Sequence, residues 1–591
     1  MRMTPAVLRS KIVYLSMEIG LDPRVPTYSG GLGVLAGDVL RSAADLHVPI
    51  AGITLLHRKG YFRQHLSALG VQTEAEVDWD PAQLLEALPI QVKIQIEGRT
   101  VHVRPWVYEV RGITGHSIPV YLLDTDLPEN AEPDRRLTDQ LYGGDNAYRL
   151  RQEAVLGLGG VAVMHALGRS ADMLYHMNEG HSALLTLALL ERRARNGDLT
   201  TLTDADVDAV RSHCVFTTHT PVPAGHDAFP IDMVRTVLGE ARTQLLERLN
   251  VVNGQLNMTT LALFFSRYIN GVAMKHGEIS RGMFPSFPIN AITNGVHALT
   301  WTADPFQRLF DRWTPQWRRD NNYLRYVCGI PLAEIQQTHA ECKRGMLAEM
   351  QRRSGIVMSE KTLTLGFARR AAQYKRAPLL FTDIARLRRI AKDVGPIQIV
   401  YAGKAHPKDE GGKQIIQEIF RAADALAGDV QVVYLENYDM ALARHIVSGV
   451  DVWMNTPLRP LEASGTSGMK AAMNGVPSFS VLDGWWIEGH YEGHTGWSIG
   501  NGTEDSADSA AEIESLYHKL ENVILPMYYH EPERWAEVRR STIAINGSFF
   551  NTQRMLLQYL SNAYFPADAA MASTAAPATP ETLPQVVKTT S

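Results

Sequence analysis

The sequence predicts an α/β protein with two doubly wound, Rossmann-like domains that face each other across a cleft. At 591 residues the chain is too long for one hydrophobic core and suits two large domains. Short apolar runs alternate with helix-length stretches, which is typical of parallel sheets covered by helices. The apolar share of 45% and the charged share of 20% are ordinary for a globular protein.

The first half of the chain mixes element types. A strand over Lys11–Ile19 is followed by a glycine-rich turn and then by an apolar-periodic helix from about Val34 to Leu46. Alternating apolar and polar residues predict a hairpin over Val92–Val110, and a helical pattern covers Leu150–Leu167. Further strands are predicted at Val48–Leu56, Ile118–Asp124, Met173–Asn178 and Val215–Thr218, the last three as buried parallel strands.

The second half predicts a more regular parallel sheet. It follows one long charged helix, Leu332–Arg353. Helix-length stretches separate most of its strand-like runs, as in a doubly wound sheet. These runs are Thr362–Phe367, Ile397–Ala402, Val430–Leu435, Val450–Met454 and Ser478–Leu482.

The changeover between the two predicted domains falls between about residues 290 and 330. We assign residues 1–293 to an N-terminal domain and residues 294–565 to a C-terminal domain. Residues 566–591 are rich in Ala, Pro and Thr without any period, which predicts a disordered tail. Because ligands of such sheets bind at the carboxyl ends of strands, the active site is expected in the cleft between the domains.

Composition excludes several functional classes. With 58 basic and 63 acidic residues, the net charge of −5 gives no general attraction to nucleic acid or to an anionic membrane. The three cysteines, Cys214, Cys328 and Cys342, form no CxxC pair and favour a reducing compartment. Without a signal peptide or an apolar run of about 18 residues, a cytoplasmic location is expected.

A glycine-rich segment, residues 29–33, lies between a loop and a helix. Glycines there let backbone N–H groups approach a ligand closely, and a helix N-terminus favours an anion. The alternative is an ordinary tight turn.

A cationic segment, Ala368–Arg376, directly follows a predicted strand. Arg369, Arg370, Lys375 and Arg376 place four cations at the carboxyl end of a sheet strand. Arginine offers a bidentate fork to phosphate oxygens and lysine a point charge, so a phosphate site is indicated. A solvated, charged helix start is the alternative.

A third segment, Glu462–Lys470, has the character of a strand-to-helix turn. Thr466 and the nearby N–H groups could hold a phosphate, and Lys470 could bind a carbonyl cofactor covalently. The alternative is a glycine-rich loop with a surface lysine.

Other motifs do not match. The chain lacks the GK[ST] ending of a nucleotide-triphosphate loop. Ser467–Lys470 matches the S-x-x-K motif of β-lactamase-like enzymes, but the S-D-N and K-T-G motifs that accompany it are absent from the sequence. The histidines of His176–His181 and His490–His494 lie near carboxylates, but neither segment is a HExxH helix and no metal is predicted. A distant carboxylate pair for glycoside hydrolysis stays open.

The third segment resembles the cofactor-lysine signature of the glycogen/starch (α-glucan) phosphorylase family. The matching residues are Glu462–Lys470, Asn474-Gly475 and Leu482-Asp483-Gly484. The resemblance spans about residues 11–563, and the compact length is similar to the short bacterial and archaeal members. Further segments that agree in order are Tyr14–Glu18, Gly30–Gly33, Asn178 with His181, Thr218–Thr220, Thr293–Gly295, Tyr374–Arg376, Gly403–Ala405 with Pro407, and Leu435–Tyr438.

The resemblance implies a GT-B glycosyltransferase architecture and the cofactor pyridoxal 5'-phosphate. It implies reversible phosphorolysis of terminal α-1,4-linked glucose from glycogen, starch or maltodextrin, which yields α-D-glucose 1-phosphate with retained configuration. The cofactor's phosphate would serve as the acid and base. The expected partners are an α-glucan, inorganic phosphate and a second copy of the chain in a homodimer, without nucleic acid or membrane.

The resemblance also implies residue roles. Lys470 would bind the cofactor, Tyr438 would lie near its ring, and Thr466, the Ser467 amide and Arg369 would surround its phosphate. The substrate phosphate would be held by Arg370, Lys375 and the Gly31 amide, and His219 would contact the sugar, chiefly through its backbone carbonyl. The remaining implied site residues are Glu462, Ser464, Gly465 and Asn294 for the glucose hydroxyls, Gly30 and Leu32 beside Gly31, and Asn178, Glu179 and His181.

Some positions depart from the family pattern. Arg369 stands where many members have Lys, Ala372 where larger members have His, and Ser29 where Asn precedes the glycines. The loop between Asp145-Asn146 and Arg149–Glu153 is shorter than its counterpart in the larger enzymes, which affects the expected gating of the active site and the chain-length preference. The chain begins near the first strand, so we expect no control through an N-terminal extension.

Two other functions compete. A retaining nucleotide-sugar glycosyltransferase similar to glycogen synthase would show a second glutamate where Lys470 stands. An inactive glucan-binding protein would not require Lys470, Arg370 and Lys375 together. The lysine at position 470 and the presence of all three cations therefore favour the phosphorylase.

Overall fold

A computed structural model describes residues 11–168, 173–502 and 509–566. It has a mixed α/β fold with largely parallel sheets, which confirms the predicted fold class at that level. The strands are β1 Ile12–Leu15, β2 Ile50–Leu55, β3 Arg63–Leu66, β4 Gln72–Ala75, β5 Glu86–Ala87, β6 Val92–Ile96, β7 Arg99–Arg111, β8 Ser117–Asp124, β9 Leu174–Asn178, β10 Cys214–Thr217, β11 Ala228–Pro230, β12 Gln255–Asn257, β13 Tyr268–Gly271, β14 Ile289–Ala291, β15 Leu363–Ala368, β16 Ile397–Ala402, β17 Gln431–Leu435, β18 Val452–Asn455, β19 Ser478–Val481 and β20 Gly496–Ile499.

Helices cover both faces of the sheets. Four π-helical turns continue neighbouring helices, at Val155–Gly159, Leu520–Ile524, Ile543–Gly547 and Leu560–Tyr564. The α-helices are α1 Gly31–Asp45, α2 Glu132–Arg135, α3 Asn146–Ala154, α4 Gly160–Ala166, α5 Leu185–Glu191, α6 Asp204–Arg211, α7 Ile231–Leu238, α8 Glu240–Arg248, α9 Met258–Phe264, α10 Met274–Met283, α11 Ala298–Trp301, α12 Asp304–Trp313, α13 Leu332–Ser354, α14 Ile384–Asp393, α15 Glu410–Ala425, α16 Met440–Gly449, α17 Thr466–Ala472, α18 Trp486–Gly489, α19 Ser509–Lys519, α20 Leu525–His530, α21 Pro532–Thr542 and α22 Thr552–Tyr559.

The first sheet runs in the order β14-β13-β10-β9-β1-β2-β8-β7-β5, with β6 paired to β7. Its strands from β14 to β8 are parallel, while β7 lies antiparallel to β8 and to β6. The hairpin predicted over Val92–Val110 is therefore confirmed. The two strands β13 and β14 were not predicted.

The second sheet is entirely parallel, in the order β17-β16-β15-β18-β19-β20. Such a sheet is buried on both faces, and its strands are continuous apolar runs. All five runs predicted in this half correspond to strands, whereas β20 was missed. Because the order reverses between β15 and β18, the loops after these two strands border a crevice at the carboxyl edge.

Several predicted bounds move by a few residues. The first strand is shorter than Lys11–Ile19 because Ser16 Oγ donates 2.8 Å to the carbonyl of Glu18 and the chain turns there. The helix predicted over Leu150–Leu167 is one helical path through α3, a π-helical turn and α4. The predicted tail lies outside the described residues apart from Pro566.

The last helix returns to the first sheet. Tyr559 of α22 contacts strands of the first sheet. Its hydroxyl lies 3.0 Å from Thr217 Oγ1 and accepts from Asn270 Nδ2 at 2.9 Å. Ser42 Oγ and Thr552 Oγ1 are 2.5 Å apart. The chain thus crosses between the sheets twice, near residues 294–301 and 549–552, and the domain bounds stay a prediction.

A buried ion cluster stabilises the second sheet. Asp451, just before β18, accepts from Lys343 Nζ at 2.6 Å and from Arg539 Nη2 at 2.7 Å. All three residues are almost fully buried. Burial alone would raise the pKa of Asp451, but the two cations hold it below its ordinary value.

Replacing Asp451 by alanine is expected to destabilise the protein by about 3–5 kcal/mol, because two buried cations lose their counter-ion. Thermal unfolding followed by circular dichroism measures this as a large fall in Tm. The exposed Asp424 on α15 provides the matched control, Asp424→Ala, which should unfold like the wild type. Equal melting of the two variants would show that the cluster does not contribute.

Candidate active site

A cavity of about 710 Å³ lies between the carboxyl edges of the two sheets. The first half contributes the start of α1 and the loops after β10 and β14, and the second half contributes the loops after β15 and β18. The structure brings fifteen predicted site residues to this cavity: Gly30, Gly31, Leu32, His219, Asn294, Arg369, Arg370, Lys375, Tyr438, Glu462, Ser464, Gly465, Thr466, Ser467 and Lys470.

Lys470 lies on α17, which begins four residues before it at Thr466. Its side chain is buried, and Nζ lies 4.0 Å from the ring centroid of Trp301. Within the described residues it forms no ion pair. Burial lowers the pKa of Lys470 to about 8, so an appreciable neutral fraction of this amine exists near neutral pH. A neutral, buried amine is the nucleophile that carbonyl cofactors require.

One carboxylate joins two cations at the opposite wall. Glu462 Oε2 accepts from Arg369 Nη2 at 2.9 Å and from Lys375 Nζ at 2.5 Å. Burial alone would raise the pKa of Glu462, but these cations hold it below its ordinary value. Arg370 also lines the cavity and pairs with no carboxylate among the described residues. Positive charge therefore exceeds negative charge at this wall.

Several polar atoms in this region have no partner. Nε and Nη1 of Arg369 and Oγ of Ser464 are buried without a hydrogen bond. A buried unsatisfied donor costs about 1–3 kcal/mol, and more when it is charged. Such donors fit an anionic ligand with several acceptor oxygens, and phosphate has that chemistry.

The glycine-rich segment forms the first turn of α1. The helix begins at Gly31, three residues before the predicted start, with Gly30 in the N-cap position. The N–H groups of Gly31, Leu32 and Gly33 therefore lack intrahelical acceptors, and Gly31 and Leu32 line the cavity. A Cβ on Gly33 would lie 2.7 Å from Glu18 Oε2, so glycine is required there.

His219 is held as a neutral ring. Burial lowers the pKa of His219 to about 4, and its Nε2 lies 2.6 Å from Asn178 Oδ1, so this nitrogen carries the proton and donates. The backbone N–H of His219 and the hydroxyl of Thr220 donate to Glu179 Oε2 at 2.8 and 2.9 Å. Glu179, which has a φ of 80°, thus fixes the backbone beside the cavity.

The far wall carries a second group of charges. Arg149 donates to Asp227 Oδ2 at 2.9 Å and to Glu153 Oε1 at 3.0 Å, and His181 Nε2 lies 3.3 Å from Asp227 Oδ2. At the mouth, Lys408 Nζ donates 2.5 Å to the carbonyl of Gly144. Gly144, just before α3, therefore contacts the second half of the chain, and the segment predicted as a short loop after Asn146 is the first part of α3.

Sequence reasoning missed two residues of the site. Trp301 lies under the Lys470 amine, and Asp38 accepts from its indole Nε1 at 2.7 Å. Neither belongs to a recognisable motif. The exposed-looking pair Trp485-Trp486 of the sequence is buried in the core, with Trp485 packed against Phe550, and does not line the cavity.

Two further findings limit the functional classes. Across residues 11–168, 173–502 and 509–566, no three His, Cys, Asp or Glu side chains are arranged to hold a metal ion. In the same ranges, no helix combines the length and apolar character that crossing a bilayer requires.

Comparisons with known proteins match most of the chain. A family model described as "Carbohydrate phosphorylase" matches residues 239–499. A maltodextrin phosphorylase of Thermococcus litoralis is 38% identical over 94% of this chain and 70% of its own length. A glycogen phosphorylase of Mycobacterium tuberculosis is 36% identical over 96% of this chain and 72% of its own. One of Aquifex aeolicus is 34% identical over 94% and 86%.

Proposed function

The chain belongs to the carbohydrate phosphorylase family, and from this membership we propose that it is an α-glucan phosphorylase. It splits a terminal α-1,4-linked glucose from an α-glucan with inorganic phosphate and releases α-D-glucose 1-phosphate with retained configuration. The observation that carries the proposal is the cavity itself. A buried lysine of lowered pKa, three cations and free helix-terminal amides line one space between the two sheets.

The residues fit pyridoxal 5'-phosphate. Lys470 provides the amine for its aldehyde, and Tyr438 is the half-buried aromatic residue expected beside its ring. Thr466, Ser467 and the unpaired Nε and Nη1 of Arg369 provide donors for its phosphate. When bound, the cofactor supplies a phosphate group that exchanges a proton with the substrate phosphate.

The chain's own residues hold the substrate phosphate. Arg370 offers a bidentate fork, Lys375 a point charge and Gly31 a helix-terminal N–H. Two phosphates held close together repel each other, and these cations offset that repulsion in the cavity between the sheets. Preorganised donors of this kind stabilise charge in the transition state without reorganising.

The sugar is oriented by the same walls. Glu462, Ser464, Gly465 and Asn294 bind the glucose hydroxyls, and Ser464 Oγ is buried with no partner, ready for such a bond. Glu179 and Asn178 hold His219 so that its carbonyl faces the positive charge that develops at the anomeric carbon.

The same proposal covers the architecture. We assign the two sheets to two facing domains of GT-B type, with the cavity between them, and we expect a homodimer of the full chain.

The direct test mixes the purified protein with maltodextrin and inorganic phosphate and measures glucose 1-phosphate enzymatically. Release should depend on phosphate and should stop when the cofactor is removed. Sulfate in place of phosphate is the matched control, since it binds cations but does not accept the glucosyl group. Glucose 1-phosphate without added phosphate, or none in its presence, would overturn the proposal.

A further inference from the structure

The Lys470 amine lies over an aromatic ring that is tied to a carboxylate from the first half of the chain. Nζ lies 4.0 Å from the centroid of Trp301, and the indole Nε1 donates 2.7 Å to Asp38 Oδ2. Asp38 and Trp301 are each 1% exposed. A cation over an indole face is attracted by the ring, and more strongly when both are shielded from water.

The backbone at Trp301 is tied directly to the helix that carries the lysine. Asn474, two residues beyond the end of α17, donates through Nδ2 to the carbonyls of Trp301 at 2.8 Å and Lys470 at 3.1 Å. Its Oδ1 accepts from Ala303 N at 2.7 Å. One amide side chain thus joins the helix of the lysine to the segment of the tryptophan.

Two charged groups act on the amine from α1. Burial is the main influence and lowers the pKa of Lys470, Asp38 raises it, and Arg41 lowers it. Asp38 and Arg41 are themselves paired, with Nη1 of Arg41 3.2 Å from Asp38 Oδ1. Asp38 therefore favours the ammonium form of Lys470 against the effect of burial.

The other elements around α17 add no opposing charge. Arg444 and His445 of α16 are exposed to solvent, and β18 and β19 carry no titratable side chain. Tyr28 and Tyr438 line the cavity, and burial raises the pKa of both phenols, so they stay neutral.

We propose that Asp38, acting through the indole of Trp301, is a positioning residue that docks the free Lys470 ammonium and sets the pH at which the chain captures its cofactor. This inference rests on the proposed function, because it concerns attachment of pyridoxal 5'-phosphate. It assigns to Asp38 a role that none of the site residues above has.

The chemistry of attachment explains the effect. The lone pair of a neutral Nζ forms a bond to the aldehyde carbon, the C=O bond breaks, and its oxygen leaves as water with the two amine hydrogens. A C=N bond remains. The ammonium form has no lone pair and cannot react, so docking over Trp301 withholds the amine at low pH and releases it at high pH.

The test is Asp38→Asn, whose amide oxygen can still accept from the indole while the charge is lost. Cofactor-free protein is mixed with pyridoxal 5'-phosphate from pH 6 to 9, and the near-ultraviolet and visible absorbance follows its attachment. With a pKa of about 8, roughly one tenth of the wild-type amine is neutral at pH 7. The variant should therefore react about 3–10 times faster at pH 7 and equally fast at pH 9.

Two further variants separate the explanations. Asp424→Asn makes the same change on the exposed face of α15, away from Lys470, and should leave the pH profile unchanged. Trp301→Phe keeps a ring but loses the indole N–H, and should shift the profile in the same direction as Asp38→Asn. In the double variant the shifts should not add, because both act through one contact.

The outcomes are distinguishable. A wild-type protein that never attaches the cofactor overturns the proposed function. A wild-type protein that attaches it, beside an Asp38→Asn variant with an unchanged pH profile, overturns only the role of Asp38. Independent, additive shifts show that Asp38 does not act through Trp301. If Asp38→Asn does not fold, an unchanged profile in Trp301→Phe overturns the proposal.

Discussion

Replacing Lys470 by alanine is expected to remove both the covalent cofactor and the catalytic activity. The variant keeps the cations around Arg369 but loses the amine on α17 that binds the aldehyde. The other lysines of the cavity are held elsewhere, Lys375 by Glu462 and Lys404 and Lys408 by backbone carbonyls. Phosphorolysis should fall by about a thousandfold or more, as when a group at the centre of a catalytic unit is lost. The checks are the absorbance of the purified protein, peptide mapping after borohydride reduction, and release of glucose 1-phosphate.

Two control variants sharpen this result. Lys470→Arg keeps a cation over Trp301, but a guanidinium stays protonated and cannot attack a carbonyl, so it should be as inactive as alanine. Lys392→Ala removes an exposed lysine at the end of α14 and should behave like the wild type. Wild-type turnover in Lys470→Ala would contradict the assignment of this lysine.

The second sheet was predictable because its strands are buried on both faces. Strands β15, β16, β18 and β19 are fully buried and lie in runs dominated by apolar and β-forming residues, which stand out from their neighbours. The edge strand β20, Gly496–Ile499, begins with a glycine and is followed by Gly500 and Gly502, so no such run surrounds it. The short strands β13 and β14 each contain asparagine, which is rare in strands.

The start of α1 shows where local propensity fails. Glycine disfavours helix, so the pattern predicted a start at Val34, whereas the helix begins at Gly31. Within this first turn, packing against Glu18 requires glycine at position 33, where an added Cβ would lie 2.7 Å from the carboxylate, so tertiary packing outweighs propensity at that residue. The unpaired N–H groups that this early start creates are the ones that line the cavity.

The site was predictable where its residues follow one another in motifs, as in Ala368–Arg376 and Glu462–Lys470. The contact of Asp38 with Trp301 joins residues 263 positions apart, and no local pattern marks either of them. Their place beside Lys470 depends on how the two sheets pack, which sequence spacing does not encode.

Replacing Arg370 by glutamine is expected to reduce kcat/KM for phosphate by about 100- to 1000-fold. This is the usual size of the effect when an enzyme loses one preorganised donor that stabilises charge in the transition state. Arg370 lines the cavity without a carboxylate partner among the described residues, so its removal leaves no buried charge unpaired. The change should therefore weaken phosphate use without changing Tm. Initial rates at varied phosphate and fixed maltodextrin measure this.

Control variants separate charge from geometry and from general effects. Arg370→Lys keeps the charge but loses the bidentate fork, and its loss should lie between those of the wild type and glutamine. Arg388→Gln breaks an exposed pair with Asp429 and should leave the kinetics unchanged. Attachment of the cofactor should be normal in all three variants, because Arg369 and not Arg370 is assigned to its phosphate. If Arg370→Gln lost the cofactor instead, the two arginines would have exchanged roles, and the phosphate sites would have to be reassigned.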